Sequence, residues 1–477
     1  MSSKESLRPD LCIIGGGSGG LSVAAGAAQM GAEVVLIEKA EMGGDCLNYG
    51  CVPSKALLAA SHSAHNVREG ARFGVNGHEP AIDFQKVHDH VHGVIGAIAP
   101  HDSVERFEDL GVRVIQAAAR FTAPDEVVAG DVTVRAKRFV IATGSSPAVP
   151  PIEGLDQVPF LTNETIFDLT ERPDHLIVIG GGPIGVEMAQ AHRGLGSEVS
   201  LLEVFSILAK DDSDAVAVVR QRLVRDGIAL HERIKIKRVE ARGNGIAVIL
   251  ESESGVEETI LGSHLLVAAG RRANVANLGL EAAGVAYSPK GIEVDARLRS
   301  SNKRIFAIGD VAGGFQFTHM AGYHAGIVIR NALFKLPAKA KYHAVPWVTY
   351  SDPELAHVGL GEDAARDRHG EVKAVTFPFA ENDRAQAERE TEGFIKVVVG
   401  KKGKVLGATI VGAHAGELIL PWVLAVDQGL KIGTMASIIA PYPTRSEVSK
   451  RVAGSYFTPA LFGERTRKVV RFLQRLG

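Results

Sequence analysis

Cysteine is scarce. A chain of 477 residues holds three, Cys12, Cys46 and Cys51. So few thiols exclude the disulfide-laced scaffold of a small secreted domain. They point to a reducing cytoplasm, where a disulfide serves chemistry rather than structure. Long apolar runs are missing too, and nothing approaches the roughly 20 residues of a membrane span. The first residues, Met1-Ser2-Ser3-Lys4-Glu5-Ser6, are short and polar ahead of an apolar strand at Leu11, so no signal peptide is expected. Charge of either sign is not in excess: 53 Lys and Arg against 55 Asp and Glu leave a formal charge of −2. No global basic field therefore points to nucleic acid. What is present is apolar material for several cores, 45% of residues, enough for about three or four domains.

Two of the cysteines stand five positions apart in residues 43–55, and Pro53 and an alanine-rich run follow at once. Proline is tolerated in a helix's first turn, where its missing N–H has no intrahelical partner. Cys51 is thereby expected beside a helix N-terminus, where the macrodipole favours a thiolate. Two unrelated buried cysteines are the alternative. Spacing and electropositive context favour a redox-active pair, whereas Cys12 sits in an apolar strand pattern.

The apolar strand Leu11-Cys12-Ile13-Ile14 runs into a G-x-G-x-x-G loop at Gly15, Gly17 and Gly20. A helix of small residues follows, then a strand at Val34-Val35-Leu36-Ile37 that ends on Glu38. In a dinucleotide site the glycines let backbone approach a pyrophosphate, the helix N-terminus holds the phosphates, and the acid takes the ribose hydroxyls. A bare glycine turn is the weaker alternative. The pattern then repeats, with Leu176-Ile177-Val178-Ile179 leading to Gly180, Gly182 and Gly185, a helix carrying Glu187, and a strand ending on Glu203. The closing acid lies 18 residues after the third glycine in both copies. Two such folds imply two dinucleotides. Glu203 accepts ribose hydroxyls and repels a 2′-phosphate, and Val204, Phe205 and Ser206 supply no arginine, which favours NADH over NADPH.

Between the copies lies a helical region with His88, His90, His92 and His101, then short strands up to Ile141 and a proline-punctuated boundary. His88 and His92 share a helical face, so a metal site is weighed against solvated histidines. No Cys or Glu cluster completes a site, and no metal is assigned. A strand is expected over residues 265–271, and another over 305–310 that delivers Asp310 at its carboxyl end, as a ligand or as a cap or turn residue. From Pro346 alternating strands and helices read as a separate α+β domain. Residues 464–477 hold Arg465, Arg467, Lys468, Arg471 and Arg475 against one acid, with Val469, Phe472, Leu473 and Leu476 at helical spacing. A basic amphipathic helix lies on an anionic membrane or docks on a partner; most such helices in soluble proteins pack on their own chain.

The motif G-G-x-C-x-x-x-x-C-V-P-S-K at residues 43–55, with both glycine loops, resembles the pyridine nucleotide–disulfide oxidoreductases, which include dihydrolipoamide dehydrogenase, glutathione reductase and mercuric reductase. The likeness runs from about Asp10 to Phe457. It implies an α/β protein with two Rossmann-like dinucleotide-binding domains and a C-terminal α+β dimerisation domain. The divisions are an FAD domain with the cysteines (1–150), an NAD(H) domain (151–272), a central FAD-contacting segment (273–345) and a dimerisation domain with the basic helix (346–477). By resemblance FAD is bound through Gly15, Gly17, Gly20 and Glu38, with Asp310 on its ribityl chain, and the second fold takes NAD(P)H. Gly44, Lys55, Thr143, Gly144 and Gly270 complete the cofactor-contacting candidates. Lys55 and Glu187 match the family's ion pair beside the flavin, and residues 379–385 look like its dimer domain.

The resemblance further implies a homodimer in which the last domain completes the partner's site. Reducing equivalents from the nicotinamide then reach Cys51 on the flavin side and leave through Cys46. The acceptor is a small or protein-bound disulfide or dithiol, or a soft metal ion. Two departures bear on that acceptor. Tyr442 stands where the lipoamide and glutathione enzymes have a histidine, five residues before the matched Glu447. A tyrosine and a following glutamate occur there in mercuric reductases. Yet the sequence has neither their paired C-terminal cysteines nor their N-terminal metal-binding module. Pro183 replaces a tyrosine that covers the nicotinamide pocket of glutathione reductase. The leading reading is a mercuric reductase-like FAD enzyme; a dihydrolipoamide dehydrogenase, or a component docking on a lipoyl carrier or a membrane, stands beside it.

Overall fold

The computed structural model describes residues 5–476, so Met1 to Lys4 of the polar start, and Gly477 of the basic stretch, lie outside the described residues. The chain divides into two compact units: residues up to Phe205 with Ala229–Lys341, and Ser206–Ile228 with the remainder from Tyr342. The helix Ser213–Arg225 thus packs within the second unit.

The first unit is built on two parallel sheets. In one, five strands lie in the order Ile305–Ala307, Arg138–Ile141, Leu11–Ile14, Val34–Glu38, Val112–Gln116. These strands read as unbroken apolar runs because both sheet faces are covered. Alternate side chains enter different cores: Cys12, Ile14, Val35, Ile37 and Phe139 in one, Leu11, Ile13, Val34, Leu36 and Val140 in the other. Strand order reverses beside Leu11–Ile14, the switch point where such sheets bind ligands. The second sheet runs Ala229–Glu232, Glu198–Glu203, His175–Ile179, His264–Val267, again all parallel.

Three local expectations are corrected. The strand expected over 265–271 ends at Val267; Gly270 takes φ +129°, and Arg271–Ala273 pairs antiparallel with Ser145–Pro147 instead. Strand Ile305–Ala307 stops before Asp310, which lies in the one-turn helix Gly309–Ala312. An edge strand at Glu5–Leu7 pairs with Val132–Val134, although its residues read as a polar lead-in.

The second unit holds a five-stranded antiparallel sheet, ordered Pro346–Thr349, Glu354–Gly359, Val405–Gly412, Phe394–Val399, Lys373–Pro378. Trp422 and Phe379 are fully buried in its core, and the Trp422 indole N–H donates to the Ser449 hydroxyl at 3.0 Å. Lys396 is buried on this sheet; its ammonium reaches both oxygens of Asp212 at 2.8 Å and Asp214 at 2.7 Å. The basic stretch forms the helix Glu464–Leu473, none of whose residues is buried within the chain. No helix among the described residues is long and apolar enough to cross a membrane.

Candidate functional site: two nucleotide cradles and a cysteine pair

The first glycine loop leaves the switch point and enters the helix Ser18–Gln29, with Gly17 as its N-cap. Gly15 takes φ +111°, and a Cβ there would stand 2.4 Å from the Ala142 carbonyl oxygen; at Gly20 it would stand 1.9 Å from that of Gly15. Backbone packs on backbone, which only glycine permits. The Glu38 carboxylate closes the loop, accepting from the Gly16 N–H at 2.5 Å and the Ala40 N–H at 2.7 Å. The second copy repeats this. A Cβ at Gly180 or Gly185 would strike the Ala268 or Gly180 carbonyl, and the space around Gly182, N-cap of the helix Pro183–Gly194, is open. Glu203 accepts from the Gly181 N–H at 2.6 Å and the Phe205 N–H at 2.8 Å. Each cradle offers a helix N-terminus for a pyrophosphate and an acid for a ribose, so both fit a dinucleotide. Beside the second cradle the Arg233 backbone N–H donates to the Phe205 carbonyl at 2.8 Å, bringing that strand end to the acid's loop.

The cysteine loop is fastened to the first cradle. The Gly43 N–H donates to the Gly16 carbonyl at 2.9 Å, and Gly44 (φ +62°) packs so near Gly17 that a Cβ would be 2.7 Å from its Cα. Cys46 lies in the short helix Gly44–Asn48, and Cys51 is the first residue of the helix Cys51–Glu69, with Pro53 in its first turn. Both are thiols here. The Cys51 thiol is pulled down to about 6, first by its hydrogen bond with Cys46 and against the cost of burial, then by Thr318 and the Lys55 charge. The Cys46 thiol is pushed up, first by Cys51 and then by burial. Thr318, first residue of the helix Thr318–Ala332, places its hydroxyl 3.4 Å from the Cys51 sulfur. The Lys55 ammonium meets the buried Glu187 carboxylate at 2.8 Å, joining the cysteine helix to the helix of the second cradle.

A polar chain links Asp310 to the cysteine loop. Ser145 donates its hydroxyl proton to Asp310 at 2.5 Å. The Arg271 guanidinium donates to the Ser145 hydroxyl at 2.7 Å and carbonyl at 2.8 Å, and lies 2.9 Å from Asp45, the neighbour of Cys46. Burial raises the Asp310 carboxyl, with Ser145 and Arg271 opposing. Thr143 donates to the Asn274 carbonyl at 2.8 Å, and Gly144 (φ +67°) faces open space. Thr318, Ser145 and Arg271 escaped sequence reasoning. Thr318 lies 267 residues from Cys51 with no local pattern; Arg271 follows the flagged Gly270, and that adjacency was the available signal.

Tyr442 and Glu447 belong to the second unit; every other candidate above lies in the first. The exposed Tyr442 hydroxyl donates to Asp383 at 2.9 Å, and that hydrogen bond, with the Asp383 charge, raises the phenol. Glu447 opens the helix Glu447–Ser455 and pairs with Arg451 at 3.3 Å. The rings of His88 and His92 lie 4.1 Å apart at a 37° tilt; His88 contacts Asp89, and His92 the Phe167 carbonyl. Among the described residues no group of three or more His, Cys, Asp or Glu side chains is placed to hold a metal ion.

The family model described as pyridine nucleotide-disulphide oxidoreductase matches residues 9–325, and its dimerisation-domain model matches residues 345–453. The chain is 35% identical over 455 residues to a mercuric reductase of Streptomyces lividans, covering 94% of this chain and 96% of that protein. It is 36% identical over 456 residues to a dihydrolipoyl dehydrogenase of Geobacillus stearothermophilus, with the same coverage. Among solved structures it resembles LpdA of Mycobacterium tuberculosis, with a TM-score of 0.86 at 27% identity over 94% of this chain and 99% of that one. A Cu(II) complex of the HOCl-induced flavoprotein disulfide reductase RclA of Escherichia coli is similar at a TM-score of 0.84 and 28% identity, covering 93% of this chain and 99% of that one.

Proposed function

Because the chain belongs to the pyridine nucleotide-disulphide oxidoreductases, with FAD and NAD(P)H as cofactors, we propose that it passes two electrons from NAD(P)H to a Cys46–Cys51 disulfide and on to a disulfide or a soft metal ion. Bound FAD supplies the two-electron relay between nicotinamide and cysteines. Gly15, Gly17, Gly20, Glu38, Gly44, Thr143, Gly144 and Asp310 are assigned to FAD, and Gly180, Gly182, Gly185, Glu203 and Gly270 to the nicotinamide dinucleotide. Glu203 favours NADH, which a comparison of kcat/KM for NADH and NADPH tests; a preference for NADPH would contradict that assignment.

The observation that carries the reading is the placement of the pair, with Cys51 opening the helix Cys51–Glu69 and 3.4 Å from the Thr318 hydroxyl, and Cys46 in the short helix before it. Two electrons and one proton convert the disulfide to a Cys51 thiolate and a Cys46 thiol at neutral pH. Thr318 and the Lys55 ammonium hold the charge on Cys51. Cys46 passes its proton to the leaving substrate sulfur as it attacks a substrate disulfide; one substrate thiol leaves, and Cys51 then attacks Cys46 and releases the second as a thiolate that takes a proton from solvent. With a soft divalent ion the two sulfurs ligate, two electrons pass to the metal, and the disulfide reforms as the neutral metal departs. The dimerisation domain supports a homodimer, and we assign Tyr442 and Glu447 to the partner's cysteine site.

Dihydrolipoamide dehydrogenase is the second reading, favoured by relatives of equal identity. Tyr442 speaks against it, because a phenol raised by Asp383 stays protonated and is a poor acceptor for a dithiol's proton at pH 7. Anaerobic steady-state assays of NADH with Hg(II) or small disulfides, against NAD⁺ with dihydrolipoamide, separate the two. Faster turnover with dihydrolipoamide would put dihydrolipoamide dehydrogenase first.

A further inference from the structure

The helix Glu464–Leu473 begins beyond residue 453, where the dimerisation domain match ends. At about 100° per residue, Phe472, Val469, Leu473 and Val470 fall on one arc of about 160°, and Arg467, Arg471 and Lys468 on the opposite arc of about 100°; in the first turn Arg465 lies within the apolar arc and Glu464 within the basic one. Leu476 and Arg475 extend the two in the turn that follows. The apolar side chains Val469, Val470, Phe472, Leu473 and Leu476 are between 46 and 69% exposed. Leu461 and Phe462, just before the helix, are exposed as well. Among the described residues, Arg465, Arg467, Arg471 and Arg475 have no carboxylate partner; Lys468 pairs only loosely with Glu464, at 3.5 Å between two exposed groups.

We propose that this helix docks the protein on an anionic lipid surface, its apolar arc at the acyl boundary and Arg467, Lys468, Arg471 and Arg475 among the headgroups. Charge complementarity selects that occupant. A second copy of the chain would cover the exposed, uncharged Leu420, Leu424, Ile438 and Ile439, which lie inside the matched dimerisation domain, whereas the stretch outside it carries Arg467, Lys468, Arg471 and Arg475 on its polar side against the single acid Glu464. Long cationic side chains lay their stems along apolar surface and lift their heads to an anionic plane. Each Lys or Arg brought to such a surface strengthens binding about five-fold, by about 1 kcal/mol, and a homodimer carries the helix twice.

The test is flotation of the FAD-loaded protein with vesicles of phosphatidylcholine alone, and of phosphatidylcholine with 30% phosphatidylglycerol (about one anionic lipid in three, as in charged leaflets). Expected are binding to the anionic vesicles only, loss at high salt, and weakening of about 25-fold in Arg467→Gln/Arg471→Gln. Phe472→Ser/Leu473→Ser should weaken binding about ten-fold or more. NADH-dependent turnover and FAD content should stay unchanged in both variants, so this result stands apart from the redox reading. Absence of binding to anionic vesicles overturns the proposal. So does binding indifferent to Phe472→Ser/Leu473→Ser, which is charge adhesion alone. Conversion of dimer to monomer by those substitutions assigns the face to a second copy, and overturns it as well.

Discussion

Arg271→Met probes the polar chain that ties the cysteine loop to Asp310. The Arg271 side chain is 12% exposed and holds Asp45, at 2.9 Å, and Ser145 together. A hydrogen bond to a charged group contributes about 1.5–3 kcal/mol, and breaking a buried ion pair costs about 3–5. Asp45 is about one-third exposed, so water recovers part of its loss, and about 3 kcal/mol at pH 8 is a fair expectation. The sign with pH follows from Asp310. Its carboxyl is already raised by burial and is held down in part by Arg271, so removing the cation raises it further. A carboxyl raised in the folded state takes up protons there first, and stability is recovered as pH falls. The deficit should therefore shrink as pH falls from 8 toward the range where Asp310 takes up its proton. Urea unfolding with saturating FAD, followed by far-UV circular dichroism and flavin release, reads this directly. Arg271→Lys should fall between wild type and Arg271→Met, since it keeps charge without the fork. A deficit under about 0.5 kcal/mol, the scale of an ordinary surface change, or one that grows on acidification, would refute the reasoning.

Other consequences are equally direct. Cys46→Ser should retain FAD and show a thiolate-to-flavin absorption band that titrates with Cys51; its absence across about pH 5–9, spanning the usual thiol range, would remove Cys51 from the flavin side. Thr318→Val in that background should move the titration midpoint upward by about half to one unit, the equivalent of one hydrogen bond, and an unmoved midpoint would reduce Thr318 to a packing residue. Tyr442→His should raise turnover with dihydrolipoamide by supplying a proton acceptor, and an unchanged rate and pH profile would place Tyr442 away from proton transfer. In the second unit, Asp212 both caps the helix Ser213–Arg225 and pairs with the buried Lys396. Asp212→Ala should cost about 3 kcal/mol or more in thermal or urea unfolding; a loss below about 1 would show that Asp214 suffices.

The parts legible in sequence were those whose physics is local. Glycines at fixed spacing between an apolar strand and a small-residue helix revealed both cradles, because the third glycine's contact with the first is a backbone contact within one loop. The Cys46–Cys51 spacing and Pro53 likewise placed a thiol at a helix start. What stayed hidden was set by tertiary pairing. From its own neighbours Glu187 reads as an ordinary helix residue, and only the family resemblance paired it with Lys55, which lies 2.8 Å away; Thr318 reads as nothing until the chain returns to Cys51. The overlong strand over 265–271 shows the same limit. Its apolar run continues in sequence, but Gly270 turns the backbone, and Arg271 is thereby aimed at Ser145. The C-terminal helix was legible as amphipathic; that its apolar face lies uncovered was not.

The central claim is that Cys46 and Cys51 accept the electrons. Anaerobic reduction of air-oxidised enzyme with NADH, then alkylation and peptide mass spectrometry, tests it most directly. Expected is the appearance of two alkylatable thiols per subunit, at Cys46 and Cys51, with the fully buried Cys12 unlabelled before and after. Bleaching of the flavin by NADH with no new thiol at either position would contradict it.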